Sequence, residues 1–193
     1  MKQTLLLTLA AVAAFAQERP GIPMEQLASP QSTGYCRAAR TISLGRPDNF
    51  ANNGPEMATV SPALQAYVTS KGALTKGFDD PTENRWVVGS WALPGCRLCR
   101  DVVITLNIRR KTHQGLTGND GIIIGAAPFV GPNVLANIKP WVANTLLTKT
   151  VTITIPMLQF NQFLLNQPTG PIWLDFRVQD DTEVDFAHLT LVQ

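Results

Sequence analysis

Hydrophobic and polar positions alternate with a period of two along the second half of the chain. Val102, Ile104, Leu106 and Ile108 interleave with Val103, Thr105, Asn107 and Arg109, the pattern of a strand with one buried face. Val151, Ile153 and Ile155 alternate in the same way with Thr150, Thr152 and Thr154. Ile172, Leu174, Phe176 and Val178 alternate with Trp173, Asp175, Arg177 and Gln179. Residues 121–125 read as a short apolar strand after an Asn119-Asp120-Gly121 turn. A last strand is expected over residues 184–192. Its phase breaks, because Val184 and Phe186 point one way and Ala187, Leu189 and Leu191 the other. A bulge near Phe186 accounts for that break.

The first half is less regular. Residues 40–44 suit a short strand, and the Gly, Pro, Asp and Asn residues of 45–49 and 52–55 suit turns. Residues 61–68 suit one or two helical turns, with Ser61 as cap and Pro62 at the first position. Residues 78–84 read as a loop, and 85–91 as an extended segment closed by Pro94-Gly95. Residues 132–147 have near-helical apolar spacing that Pro140 interrupts, and 157–165 suit a short helix or a buried crossover. Five or more strands, with no alternation of strands and helices, predict an all-β domain. The expected architecture is a two-sheet β-sandwich, jelly-roll-like, with an irregular N-terminal segment.

Residues 1–16 are set apart from that domain. Lys2 is followed by an apolar run of about eleven residues that ends in Ala14-Phe15-Ala16, the layout of a secretory signal. The run is too short for the roughly 20 residues of a membrane span. The expected organisation is a signal peptide over 1–16, a flexible polar arm over 17–34 and a single β-sandwich over 35–193. The expected location is secreted: extracellular, periplasmic or at the cell surface.

Composition narrows the function further. The chain has 193 residues, 45% apolar and 16% charged, enough for one domain with a real core. A formal charge of +2 offers no broad phosphate-binding surface. Arg97, Arg100, Arg109, Arg110 and Lys111 form a local basic region, and residues 175–185 a local acidic one. The basic stretch lacks the interleaved aromatics of a nucleic-acid groove, so no nucleic-acid partner is expected.

Three cysteines, Cys36, Cys96 and Cys99, read in an oxidising compartment as one disulfide with one thiol left over. The Cys96-Arg97-Leu98-Cys99 spacing resembles a redox motif, but a strand rather than a helix follows it. Asp79, Asp80 and Glu83 in one loop, and Asp180, Asp181, Glu183 and Asp185 around the last turn, are candidate ligands for a structural calcium, since hard cations take clustered carboxylate oxygens. Ordinary turn chemistry explains the same residues. No other cofactor is indicated. Two histidines, His113 and His188, and no Gly-x-Ser-x-Gly elbow leave little material for nucleophilic catalysis.

Four tryptophans supply the remaining candidate chemistry. Trp173 shares a strand face with Asp175 and Arg177, and Trp91 lies on another extended segment. An aromatic ring beside polar groups is a platform for a sugar or a protein. The expectation is therefore a secreted, non-catalytic module that binds an extracellular glycan or protein through Trp173, Asp175, Arg177 and Trp91. A structural or self-assembling protein is the alternative, and a glycan hydrolase with paired carboxylates the third reading.

Overall fold

In the computed structural model, residues 39–51, 56–93, 98–110, 121–138, 148–168, 170–179 and 182–192 are described. The segments assigned above to a signal and an arm lie outside them, as do Cys36, Cys96, His113, Trp141, Asp180 and Asp181. In chain order the elements are β1 (Arg40–Gly45), α1 (Pro62–Ser70), β2 (Thr75–Lys76), β3 (Trp86–Leu93), β4 (Val102–Arg110), β5 (Ile122–Gly125), β6 (Val134–Ile138), β7 (Lys149–Ile155), α2 (Met157–Leu165), β8 (Ile172–Val178) and β9 (Thr182–Leu191). A single 3-10 turn, Gly131–Asn133, leads into β6.

The strands build two sheets, one ordered β1-β9-β4-β7 and the other β2-β3-β8-β5-β6. Neighbours are antiparallel except for the short β2–β3 pair, which is parallel. Two sheets of mixed strand order around a shared apolar layer form a sandwich, as the alternation of apolar residues predicts. Ile104, Leu106, Ile153, Leu189 and Leu191 of the first sheet meet Val87, Trp91, Ile124, Leu174 and Phe176 of the second in one buried cluster. Phe160 and Phe163 of α2 join that cluster, which explains why a short helix with few polar residues is stable here.

The phase break in β9 is a bulge. Phe186 pairs with Asn107 and Val184 with Ile108, so Asp185 has no partner on β4. The extra residue lets Val184 and the Ala187, Leu189, Leu191 series all bury side chains in the core. It also turns Asp185 out of the ladder.

Helix α1 begins where its cap residue predicts. The Ser61 hydroxyl accepts from the Leu64 amide at 3.1 Å and Pro62 opens the helix. The helix lies over the outer face of the second sheet. There Leu64 and Val68 pack with Val88, Ile123, Ala127 and Phe129 in a second cluster, with Tyr67 and Trp86 at its margin. The polar positions of β8 are consequently covered: Asp175 is 1% exposed and Arg177 is 7% exposed. Period-two alternation marks two different faces without saying that one of them meets water. Strand β2, only two residues long, has no such pattern to be read from.

Candidate functional site: a three-aspartate centre

Asp48, Asp79 and Asp185 converge at the β1 side of the first sheet, each offering a carboxylate oxygen within 4.8 Å of the others. Three different devices bring them together. Asp48 sits in the turn after β1, where its own carboxylate accepts from the Ala51 amide at 3.0 Å. Asp79 follows β2 in a left-handed conformation, with φ at 58°, and its amide donates to the Val184 carbonyl at 2.9 Å. Asp185 is the bulged residue of β9.

Hydrogen bonding is very unequal among the three. Asp185 Oδ1 accepts from the amides of Asp48 at 3.2 Å and Phe50 at 3.1 Å, and its Oδ2 from Asn107 Nδ2 at 2.8 Å. Asp79 is 1% exposed, and neither of its oxygens has a hydrogen-bond partner. Asn107 Oδ1 is likewise buried without a partner. Burial, followed by the charges of Asp48, Asp185, Glu56 and Glu183, raises the Asp79 carboxyl to about 7.

Two nearby arginines are committed elsewhere. Arg109 pairs in bidentate fashion with Glu183, at 2.6 and 3.0 Å, and stacks over Phe50 at 4.2 Å. Arg46 meets Glu56 at 3.2 Å. Buried oxygens without donors beside two further carboxylates lack a counter-charge. Such a set accommodates a proton or a hard divalent cation.

The other sequence candidates are dispersed. Asp80 does not join its neighbour. It accepts from the backbone and the hydroxyl of Thr82; burial raises its carboxyl, but these bonds, with Lys76 and Arg85, outweigh that and hold it below its usual value. It is a turn residue. Trp91 is wholly buried against Phe176, with ring centroids 5.0 Å apart. Arg177 is enclosed by Trp86, Tyr67 and Phe129 and donates to the Tyr67 hydroxyl at 2.7 Å. Asp175 accepts from Ser90 Oγ at 2.6 Å and from the Ala127 amide at 2.9 Å. Only Trp173, half-buried, keeps a face toward solvent.

Several expectations are corrected by this arrangement. The acidic loops do not form a calcium-binding motif: of the residues named, Asp79 and Asp185 enter the three-aspartate centre, Glu183 pairs with Arg109, Asp80 caps a turn, and Asp180 and Asp181 lie outside the described residues. The expected disulfide is present at Cys99, which is disulfide-bonded; Cys36 and Cys96 lie outside the described residues. The segment read as a signal peptide lies outside the described residues. The expectation of a non-catalytic protein is overturned by the buried carboxylates, which are able to coordinate a metal or a substrate.

Asp48 and Asn107 were not singled out in the sequence. Asp48 belongs to a turn-forming run, and Asn107 to the polar face of a strand. The available signals were the acidic run that holds Asp185 and the phase break beside it. No described helix is long and apolar enough to cross a membrane. No protein-family model matches the chain, nor does any curated protein.

Proposed function

We propose that the chain is a cation-dependent β-sandwich module whose working centre is Asp48, Asp79 and Asp185. The single observation that carries this reading is the Asp79 carboxylate, fully buried with both oxygens unpartnered and facing two further carboxylates. A divalent cation would join the turn after β1, the loop after β2 and the bulge of β9, three segments remote in sequence. Asn107 Oδ1, orphaned beside Asp185, supplies a neutral oxygen to the same set. An all-oxygen donor set suits a hard cation rather than a thiophilic one. A centre that staples loops to a sheet edge fits a structural module.

The same geometry supports a second reading, a Lewis-acid centre acting on a substrate. It is favoured by Asp48, which unlike its two partners is partly exposed and so leaves the centre approachable from one side. Isothermal titration of the chelator-treated full chain with magnesium, manganese and calcium chlorides tests the shared premise. One saturable site per chain, lost in Asp79→Asn, is expected. Absence of binding by all three cations, or binding indifferent to Asp79→Asn, overturns the proposal. Cation-dependent hydrolysis that vanishes with chelator would assign the catalytic reading, and saturable binding without turnover the structural one.

A further inference from the structure

A groove of about 380 Å³ opens on the opposite sheet, away from the three aspartates. Its floor is a buried polar network at the start of α1. The Ser61 amide donates to Ser90 Oγ at 2.8 Å, Ser90 Oγ donates to Asp175, and the Ala127 amide closes the other carboxylate oxygen. Trp173, prolines 62, 168 and 171, and the amides of Asn133, Asn166 and Gln167 are among its lining.

We infer that this groove binds a neutral saccharide of one or two rings, stacked on Trp173 and hydrogen-bonded by the three amide side chains. The chemistry of the lining disfavours charged small ligands. No lysine, arginine or histidine lines the groove, so phosphates and carboxylates find no counter-charge there. The only ionisable lining group, Asp175, already has both oxygens occupied, so it offers no strong pairing to a cation either. An amide carries both donors and an acceptor, and so does the hydroxyl-rich edge of a sugar. The side chains of Asn133 and Asn166 make no hydrogen bond among the described residues, and Gln167 Nε2 makes one long bond, 3.2 Å, to Phe163. The flat indole and the prolines complement the apolar C–H face of a ring. A volume near the lower end of the roughly 300–1,000 Å³ of ligand pockets favours a chain end or a short oligosaccharide over a long polymer segment.

This site is independent of the cation centre, and its test is run in chelator. Saturation-transfer NMR on the full chain uses maltose, cellobiose, xylobiose and diacetylchitobiose as neutral probes, with galacturonic acid and glucose 6-phosphate as charged ones. At least one neutral disaccharide is expected to bind, with transfer strongest to one ring face, and the charged probes are not. Trp173→Ala should weaken that binding by about tenfold or more. Because Trp173 is half-buried, the exposed Asn166 gives a second variant that leaves the fold untouched; Asn166→Ala should weaken binding by roughly threefold to tenfold. Failure of all four neutral probes, preference for the charged ones, or binding unaltered in both variants overturns the inference.

Discussion

Asn107 reaches across the β4–β9 ladder to donate its amide nitrogen to Asp185 Oδ2 at 2.8 Å, and its own carbonyl oxygen is left buried and unpaired. That orientation serves two purposes at once. It fixes the orientation of the bulged Asp185 carboxylate, and it adds an acceptor where Asp79 already has two unmatched oxygens. A polar site with three unpaired acceptors is costly as a resting arrangement, at about 1–3 kcal/mol for each such group. A bound cation converts that cost into ligation.

Replacing Asp79 by asparagine should therefore separate stability from function. At pH 8 and without cation, Asp79→Asn removes a buried anion facing two others and should raise unfolding stability by about 1–3 kcal/mol. The same change should abolish stabilisation by added cation, which in the parent chain amounts to about 2.7 kcal/mol at a hundredfold excess over the dissociation constant. Urea titrations with and without manganese chloride measure both effects. A variant that is less stable than the parent in chelator would contradict the account of Asp79.

Metal-free stability should depend on pH in an unusual direction. Burial and the neighbouring acids raise the Asp79 carboxyl from its ordinary 3.8 to about 7 in the folded chain, so the folded state holds the proton more tightly than the unfolded one. The stabilisation is complete below about pH 4, declines as pH rises toward 7, and is constant above that. The groups facing Asp79 are the acids Asp48, Asp185, Glu56 and Glu183, with Arg46 and Arg109 engaged by the two glutamates. Asp175, raised by burial against the hydrogen bonds of Ala127, Ser90 and Ser61, adds a slope of the same sign. Subtracting the Asp79→Asn profile from the parent profile isolates the part due to Asp79. A flat difference between pH 4 and 7 would refute it.

How much of this was readable beforehand depends on sequence distance. Strand faces, the cap at Ser61 and the bulge in β9 are written in neighbouring residues, through period-two alternation, a Ser-Pro pair and the slip from Phe186 to Ala187. The centre is not. Asp48 and Asp185 are 137 residues apart, and no local spacing links them. Asp79 and Asp80 look equivalent in sequence, yet the backbone of Asp79 turns through positive φ while Asp80 folds back on Thr82. The face of β8 bearing Asp175 and Arg177 was read as open because nothing in its own pattern announces that α1 will lie across it.

Gly45 should not tolerate a side chain. Its φ of +71° disfavours any other residue, and a Cβ there would lie 2.5 Å from the Asp185 carbonyl oxygen and 2.6 Å from the Phe78 ring. Both contacts are with segments that build the centre. Gly45→Ala should cost about 2 kcal/mol or more and weaken cation binding as well, because relief of the clash displaces the bulge. Calorimetric unfolding and cation titration check the two together. A variant with parental stability would mean that β1 ends elsewhere.

The last prediction concerns the cation already built into the fold. Arg177 lies with its guanidinium carbon 4.5 Å from the Trp86 ring centre, 5.7 Å from that of Tyr67 and 5.9 Å from that of Phe129, and burial lowers its pKa against the pull of Tyr67. The flat guanidinium suits a place over the Trp86 ring, and the 2.7 Å bond to the Tyr67 hydroxyl holds it there. Lysine keeps the charge but is a compact, strongly hydrated ammonium, so Arg177→Lys should destabilise by roughly 2–3 kcal/mol rather than rescue the site. Arg177→Met retains a long apolar stem without a buried charge and should be the milder change of the two. Guanidinium chloride titrations rank the variants. If lysine proves the better replacement, charge rather than stacking holds α1 to the sheet.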